Sequence, residues 1–403
     1  MDLDPTPMRS GPTGIHPWRD RALTLWHRLL HHGQRNALPQ TEGNDAVLLR
    51  CGGSILEATR KLIQQARFTL HAEIYAWGDD ATGRELLSLL QAAQARGVAV
   101  RLVVDHLGSW SARGRLADAG LNLRFFHPIG WRLPWRLWHR RNHRKLLLAD
   151  GQQAVVGSAN WSDSYNCGLN QACYRDLGVL IQGPIVSHLE ADFQKAWRRA
   201  GGPGFTTPEA LPLSEPLKES FSEVGIQVVS SLGKGGRLLR RHLLLWLRQV
   251  RHRVLIANAY FIPDPHLSRL LQRVARRGVE VDVLVPGDSD HPFVQAASRA
   301  TFEPLLKAGV RVWERQEVML HAKAAVLDED LLVVGSANLD TRSFRHNLEL
   351  NLVLRHEALA REAEALLARD RDLSTRIEGS AWVRRPRFQR FWQQFAYAFW
   401  WWL

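Results

Sequence analysis

The chain has 403 residues, enough for one large or two ordinary domains, because single cores stop growing near roughly 250–300 residues. Its 53 Lys and Arg against 40 Asp and Glu point to a polyanionic partner, and 16 Trp favour anionic lipid over nucleic acid, since an indole rests well where one edge is wet and its body apolar. The sequence predicts neither a secretory signal nor a membrane-spanning helix, for it has no basic-then-apolar opening and no uncharged apolar run of about 18 residues.

Residues 1–45 read as an N-terminal extension, with an amphipathic helical pattern over 18–30. A first α/β domain follows over 46–200, with helical periodicity at 54–66 and 83–96 alternating with β-rich runs at 68–77 and 97–105. Gly201, Gly202, Gly204 and prolines 203, 208, 212 and 216 mark a linker over 201–220. A second α/β domain over 221–375 repeats the order: helical patterns at 238–250 and 267–277, β-rich runs at 254–262 and 278–286. Residues 376–403 form a basic aromatic tail. In it Phe388, Phe391, Trp392, Phe395, Phe399 and Trp402 fall at helical spacing behind Arg384, Arg385, Arg387 and Arg390, the pattern of a helix lying at a membrane interface or packed on the fold.

The repeat has one insertion. Gly120 to His143 spans 23 residues and the matching Gly309 to His321 only 12, and the extra length carries Trp131-Arg-Leu-Pro-Trp135-Arg-Leu-Trp138-His-Arg-Arg141, a composition suited to lipid headgroups. Cys51, Cys167 and Cys173 have neither the number nor the spacing of a disulfide framework or zinc site, and are expected as free, buried thiols in a reducing cytosol.

Each half ends in the same constellation. His143-Arg-Lys145 leads through Asp150 to Gly157-Ser158-Ala-Asn160, and His321-Ala-Lys323 leads through Asp328 to Gly335-Ser336-Ala-Asn338, with identical spacing. Residues two apart on a strand share a face, so each imidazole stands beside an ammonium, and a hairpin at the Asp returns Ser and Asn to them. Such a cup suits a phosphodiester: Lys145, Lys323, Ser158, Asn160, Ser336 and Asn338 supply positive or donating groups to its oxygens, while one imidazole attacks phosphorus and the other protonates the leaving alcohol. Only 7 of the 53 basic residues are Lys, yet two of them stand in these motifs, where a compact ammonium differs from a guanidinium fork. No carboxylate cluster is arranged for a metal, and no cofactor is expected.

These paired motifs resemble the phospholipase D superfamily over roughly residues 50–360. Tyr260-Phe-Ile-Pro-Asp264, the run from Gly335 to Glu349, and Tyr174-Arg-Asp176 leading to Gly183-Pro184 and Phe193–Trp197 are similar to bacterial cardiolipin synthases, in the subgroup without N-terminal membrane spans. The resemblance implies an α/β fold of two halves about a pseudo-two-fold axis, with the active site at their interface. It also implies a carboxylate orienting each histidine. In the second half the pattern falls on Glu349, 28 residues after His321; the matching Gln171 in the first half cannot serve, and Asp176 is the next candidate. Asp150 and Asp328 complete the motifs and are counted with the catalytic set, although bracing the fold is their expected part.

The expected activity is phosphatidyl transfer through a phosphatidyl-histidine, with His143 as nucleophile and His321 as acid and base. The expected partners are anionic phospholipids and the cytoplasmic face of a bacterial inner membrane, with nucleic acid disfavoured. Hydrolysis by the same site, as a phospholipase D or a nuclease, is the alternative, and a catalytically silent membrane scaffold a more distant one.

Overall fold

The computed structural model describes residues 40–130, 134, 137–169, 173–206, 217–232 and 236–401. The helix expected over 18–30, Trp131 and Trp135 of the insertion, Gln171, the centre of the linker and Trp402 lie outside the described residues.

Two series of strands run in the same order. The first is β1 (Gln40–Leu49), β2 (Thr69–Ile74), β3 (Ala99–Asp105), β4 (Leu123–Phe126), β5 (Leu146–Ala149), β6 (Gln153–Gly157) and β7 (Gly178–Gln182). The second is β8 (Phe221–Ser230), β9 (Arg253–Asn258), β10 (Glu280–Pro286), β11 (Arg311–Arg315), β12 (Lys323–Leu327), β13 (Leu331–Gly335) and β14 (Leu350–Arg355), followed by the short β15 (Ser374–Arg376). Their order in space is β15-β11-β10-β9-β12-β13-β14-β8-β1-β7-β6-β5-β2-β3-β4, which apart from β15 reads as a palindrome about β8 and β1. Those two strands pair antiparallel, so one sheet runs through both halves and the pseudo-two-fold axis passes between them.

The chemistry of the strands explains their pairing. In each half three parallel strands, β2–β4 and β9–β11, are joined by helical crossovers; the inner strands β2 and β9 are almost wholly buried, whereas the outer strands β4 and β11 carry half-buried arginines. The antiparallel hairpins β5–β6 and β12–β13 then turn at Asp150 (φ 54°) and Asp328 (φ 50°), left-handed positions that a short polar side chain tolerates. The crossover helices start where their caps allow: Asp80 accepts the Gly83 N–H at the start of Ala81–Ala95, and Asp264 accepts those of His266 and Leu267 at the start of Pro265–Arg276. One apolar cluster joins strands of both halves to the helices Ile185–Arg199 and Glu357–Asp372. Phe193 and Trp197 are fully buried in it, and truncating Phe193 to Ala should cost about 3–5 kcal/mol.

The structure departs from expectation at two places, and at a third it joins two alternatives. β1 begins at Gln40, inside the extension predicted to reach residue 45, and is a central strand bound on one side by β7 and on the other by β8. Asn44 is fully buried there, donating to the Val224 carbonyl and accepting from the Ile185 N–H. The cysteines are not three free thiols: a turn after Asn166 brings Cys167 and Cys173 to a Cα separation of 5.1 Å and they form a disulfide, while free Cys51 caps the helix Gly52–Gln65. The aromatic tail is helical over Arg387–Ala398 and both packs and projects. Ala396 joins Ile262, Ala296 and Ala297 in a small core, whereas Phe388, Phe391, Trp392 and Phe395 are 44–77% exposed on the outer face. Among the described residues no helix is long and apolar enough to cross a membrane.

Candidate active site

Each histidine stands at the mouth of a hairpin, immediately ahead of β5 or β12, and is clamped by backbone from the other half. The His143 N–H donates to the Leu348 carbonyl (2.9 Å) and the Leu348 N–H to the Arg141 carbonyl (2.8 Å). The His321 N–H donates to the Arg175 carbonyl (2.8 Å), and the Arg175 N–H to the Met319 carbonyl (2.9 Å). These reciprocal bridges carry the carboxylates across. His143 Nδ1 lies 3.1 Å from both Glu349 oxygens, and His321 Nδ1 lies 2.9 Å from Asp176 Oδ2. The orienting pairs are therefore crossed between the halves. Glu349, 28 residues after His321, serves His143. A carboxylate only accepts, so each Nδ1 carries a proton and each Nε2 is left for the reaction.

The lysines complete the cup. Lys145 Nζ donates to the His143 carbonyl and Lys323 Nζ to that of His321, both at 2.7 Å, and Lys323 Nζ also stands 3.1 Å from His321 Nε2. All four groups are nearly buried, at 3–8% exposure, so charge is costly on every one of them. Burial, then the neighbouring lysines and the other histidine, hold His143 well below its ordinary value. Burial and Lys323 bring His321 down to about 4. Burial lowers Lys323 to about 8 and Lys145 well below its ordinary value. The carboxylates differ. Burial pushes Glu349 up to about 7, whereas at Asp176 burial is outweighed by His321, Lys323 and Ser158, which hold it below the usual range. A phosphodiester anion bound beside these buried lysines and histidines would favour their charged forms.

Four sequence-assigned residues do other work. Ser158 and Ser336 are fully buried and donate to Asp176 and to Glu349 (2.5 Å), so their hydroxyl protons are committed to the orienting carboxylates rather than to a phosphate. Asp150 accepts the N–H groups of Arg67, Phe68 and Thr69, and Asp328 those of Arg251, His252 and Arg253; both pin the start of a parallel strand and neither joins the site. Asn160 and Asn338 are both nearly buried. Asn160 donates to Tyr165 Oη (3.0 Å), which in turn lies 3.3 Å from the His321 ring, while the Asn338 Oδ1 has no partner among the described residues.

Other members of the site escaped sequence reasoning. Tyr75 packs edge-on against His143 and lies under the Lys145 ammonium, 5.1 Å from ring centroid to Nζ. Asp105 binds the Arg141 guanidinium and the Asn142 N–H, and Glu73 binds Asn142 Nδ2 and pairs with Arg144, so the residues flanking His143 are fixed on both sides. The repeat held one clue: Tyr165 follows Asn160 by five residues, and Ser343, which follows Asn338 by five, accepts the Asn338 N–H. Among the described residues no group of three or more His, Cys, Asp or Glu is placed to hold a metal ion.

The chain matches the family model described as cardiolipin synthase, phospholipase D-like domain, at residues 59–197 and again at 243–371. It is 32% identical over 382 residues to cardiolipin synthase A of Pseudomonas syringae pv. syringae (strain B728a), an alignment covering 91% of this chain and 78% of that protein. It is 29% identical over 357 residues to the major cardiolipin synthase of Bacillus subtilis (strain 168), covering 87% and 73%. The crystal structure of phosphatidylserine synthase from Haemophilus influenzae Rd KW20 shares the fold with a TM-score of 0.68 at 15% identity, covering 92% of this chain and 97% of that one. Two matched segments, one in each half and each contributing a histidine to the crossed pairs, place this chain in the phospholipase D-like cardiolipin synthase family.

Proposed function

We propose that the chain is a phosphatidyltransferase of the cardiolipin synthase type, exchanging phospholipid headgroup alcohols through a phosphatidyl-histidine. The observation that carries this reading is the crossed pairing, His143 with Glu349 and His321 with Asp176, which commits both imidazoles to one site made by two halves. The unequal carboxylates divide the labour. Asp176, held ionised, works against the burial that lowers His321, and with a phosphodiester anion bound beside it favours an imidazolium there, suited to the acid; Glu349, pushed up to about 7, gives His143 less support as a cation and leaves its Nε2 lone pair to attack.

In the first step His143 Nε2 bonds to phosphorus, the bond from phosphorus to the headgroup oxygen breaks, and His321 passes its proton to the departing alcohol. In the second an incoming alcohol gives its proton to His321 and attacks phosphorus, the P–N bond breaks, and His143 is restored. With phosphatidylglycerol as donor and acceptor the products are cardiolipin and glycerol. Lys145, Lys323 and Asn338 face the charge that develops on the phosphoryl oxygens.

The basic aromatic tail supports a peripheral seat on the cytoplasmic face of the inner membrane, since the outer face of the Arg387–Ala398 helix leaves Phe388 and Phe391 at 77% and 69% exposure. Incubation with labelled phosphatidylglycerol tests the reaction: cardiolipin with matching release of glycerol supports transfer, phosphatidic acid alone would replace it with hydrolysis, and cleavage confined to DNA would replace the lipid substrate.

A further inference from the structure

Beside the catalytic motif of the second half lies a cavity of about 220 Å³ that the reaction above does not use. Its walls come from the helices Gly236–Gln249, Pro265–Arg276 and Thr341–Arg345, and Trp400 closes it from the aromatic tail. One acidic residue lines it, Asp264, and that charge is already taken: Arg240 binds it with two contacts of 2.5 and 3.0 Å, and it also caps the Pro265–Arg276 helix. Two further guanidiniums, Arg269 and Arg345, line the cavity without a carboxylate partner among the described residues; Arg345 stacks on Trp401, 3.9 Å from the ring centroid. Thr341 is 2% exposed, and its hydroxyl has no hydrogen-bond partner among the described residues. A buried hydroxyl left unpaired costs stability, and two exposed guanidiniums on one cavity wall leave their donors open to an anion.

We infer that this cavity binds a phosphate oxyanion, separate from the one that reacts at His143. Two planar guanidinium forks bind such a group bidentately, and the Thr341 hydroxyl adds a donor. The shared chemistry is a phosphate ester, from a lipid headgroup or from a soluble phosphate. Trp400 joins the cavity wall to the exposed aromatic face, so a bound headgroup would leave its acyl chains on the side where that face projects. The lipid source rests on the reading of the chain as a membrane-surface enzyme; the oxyanion site does not.

The test uses the full chain carrying His143→Ala, so that binding is read without turnover. It is sedimented with phosphatidylcholine vesicles, with and without phosphatidylglycerol, as such and with Arg269→Gln plus Arg345→Gln, or with Thr341→Val. The paired Gln substitutions should weaken binding to the anionic vesicles by about tenfold and leave binding to pure phosphatidylcholine unchanged, with Thr341→Val giving a smaller loss in the same direction. Competition by soluble glycerol phosphate would extend the site to free phosphate esters, and its absence would assign it to lipid headgroups. Equal binding by both proteins, or an equal loss on both kinds of vesicle, would overturn the inference. The same Gln substitutions in the chain with His143 intact should leave turnover of a dispersed short-chain phosphatidylglycerol within about twofold, which separates a lost oxyanion site from a failed fold or a failed catalytic reading.

Discussion

His143 Nδ1 lies 3.1 Å from the carboxylate of Glu349, a residue 206 positions further along the chain and in the opposite half. With the mirror pair of His321 and Asp176, it makes each half the positioning element for the other half's histidine.

Removing either carboxylate's charge should therefore disable a histidine across the interface. Glu349→Gln and Asp176→Asn are each expected to lower kcat on the order of 10²–10⁴-fold, since an orienting carboxylate that becomes an amide allows the wrong tautomer. Crossing is tested by double mutants: His143→Ala with Glu349→Gln should be no slower than His143→Ala alone. Losses that instead couple Glu349 to His321 would return the pairing to within each half.

Ser158→Ala and Ser336→Ala should lower kcat by roughly 10–100-fold with little change in KM, because each hydroxyl steadies an orienting carboxylate rather than the substrate. A rise in KM at constant kcat would make them phosphate ligands after all.

With His321 held protonated beside a bound phosphodiester, the pH dependence of kcat follows from two other buried groups. Glu349, pushed up to about 7, must be ionised to hold the His143 Nδ1 proton, so activity rises as pH climbs through that value; Lys323, lowered to about 8, loses its charge above it, so activity then falls. The kcat profile should trace a narrow bell between these limbs. Glu349→Gln should erase the rising limb, and Lys323→Arg should carry the falling limb to higher pH. A profile flat across this window would contradict the assignment.

Asp150→Ala and Asp328→Ala are predicted to act on stability alone, each losing about 1–3 kcal/mol as backbone N–H groups at a strand start lose their acceptor. Urea unfolding should show the loss while kcat of the folded fraction stays unchanged. A collapse of kcat without loss of stability would bring them back into the site.

The repeat, both His and Lys pairs, and the alternation of helix and strand were legible in the sequence because each recurs at fixed spacing in two halves. The crossing was not. Linear distance from His321 to Glu349 says nothing about which histidine the carboxylate faces once two halves pack about an axis. β1 was hidden by the polar run Gln40 to Asp45, in which only Asn44 is buried; its place in the sheet comes from pairing with strands on both sides rather than from apolar side chains. The Cys167–Cys173 bond was missed because three cysteines suggest no framework, and only the turn after Asn166 brings two of them together. The flanks of the motifs diverge as well. Arg141, Asn142 and Arg144 meet buried carboxylates around His143, where the second half places Met319, Leu320 and Ala322 around His321.

A single-turnover reaction with phosphatidylglycerol labelled in its acyl chains, quenched and digested for mass mapping, tests the central claim most directly. The label should appear on the peptide containing His143, vanish in His143→Ala, and in His321→Ala never proceed to cardiolipin at a measurable rate. Near-normal cardiolipin formation by His143→Ala would contradict the shared two-histidine site.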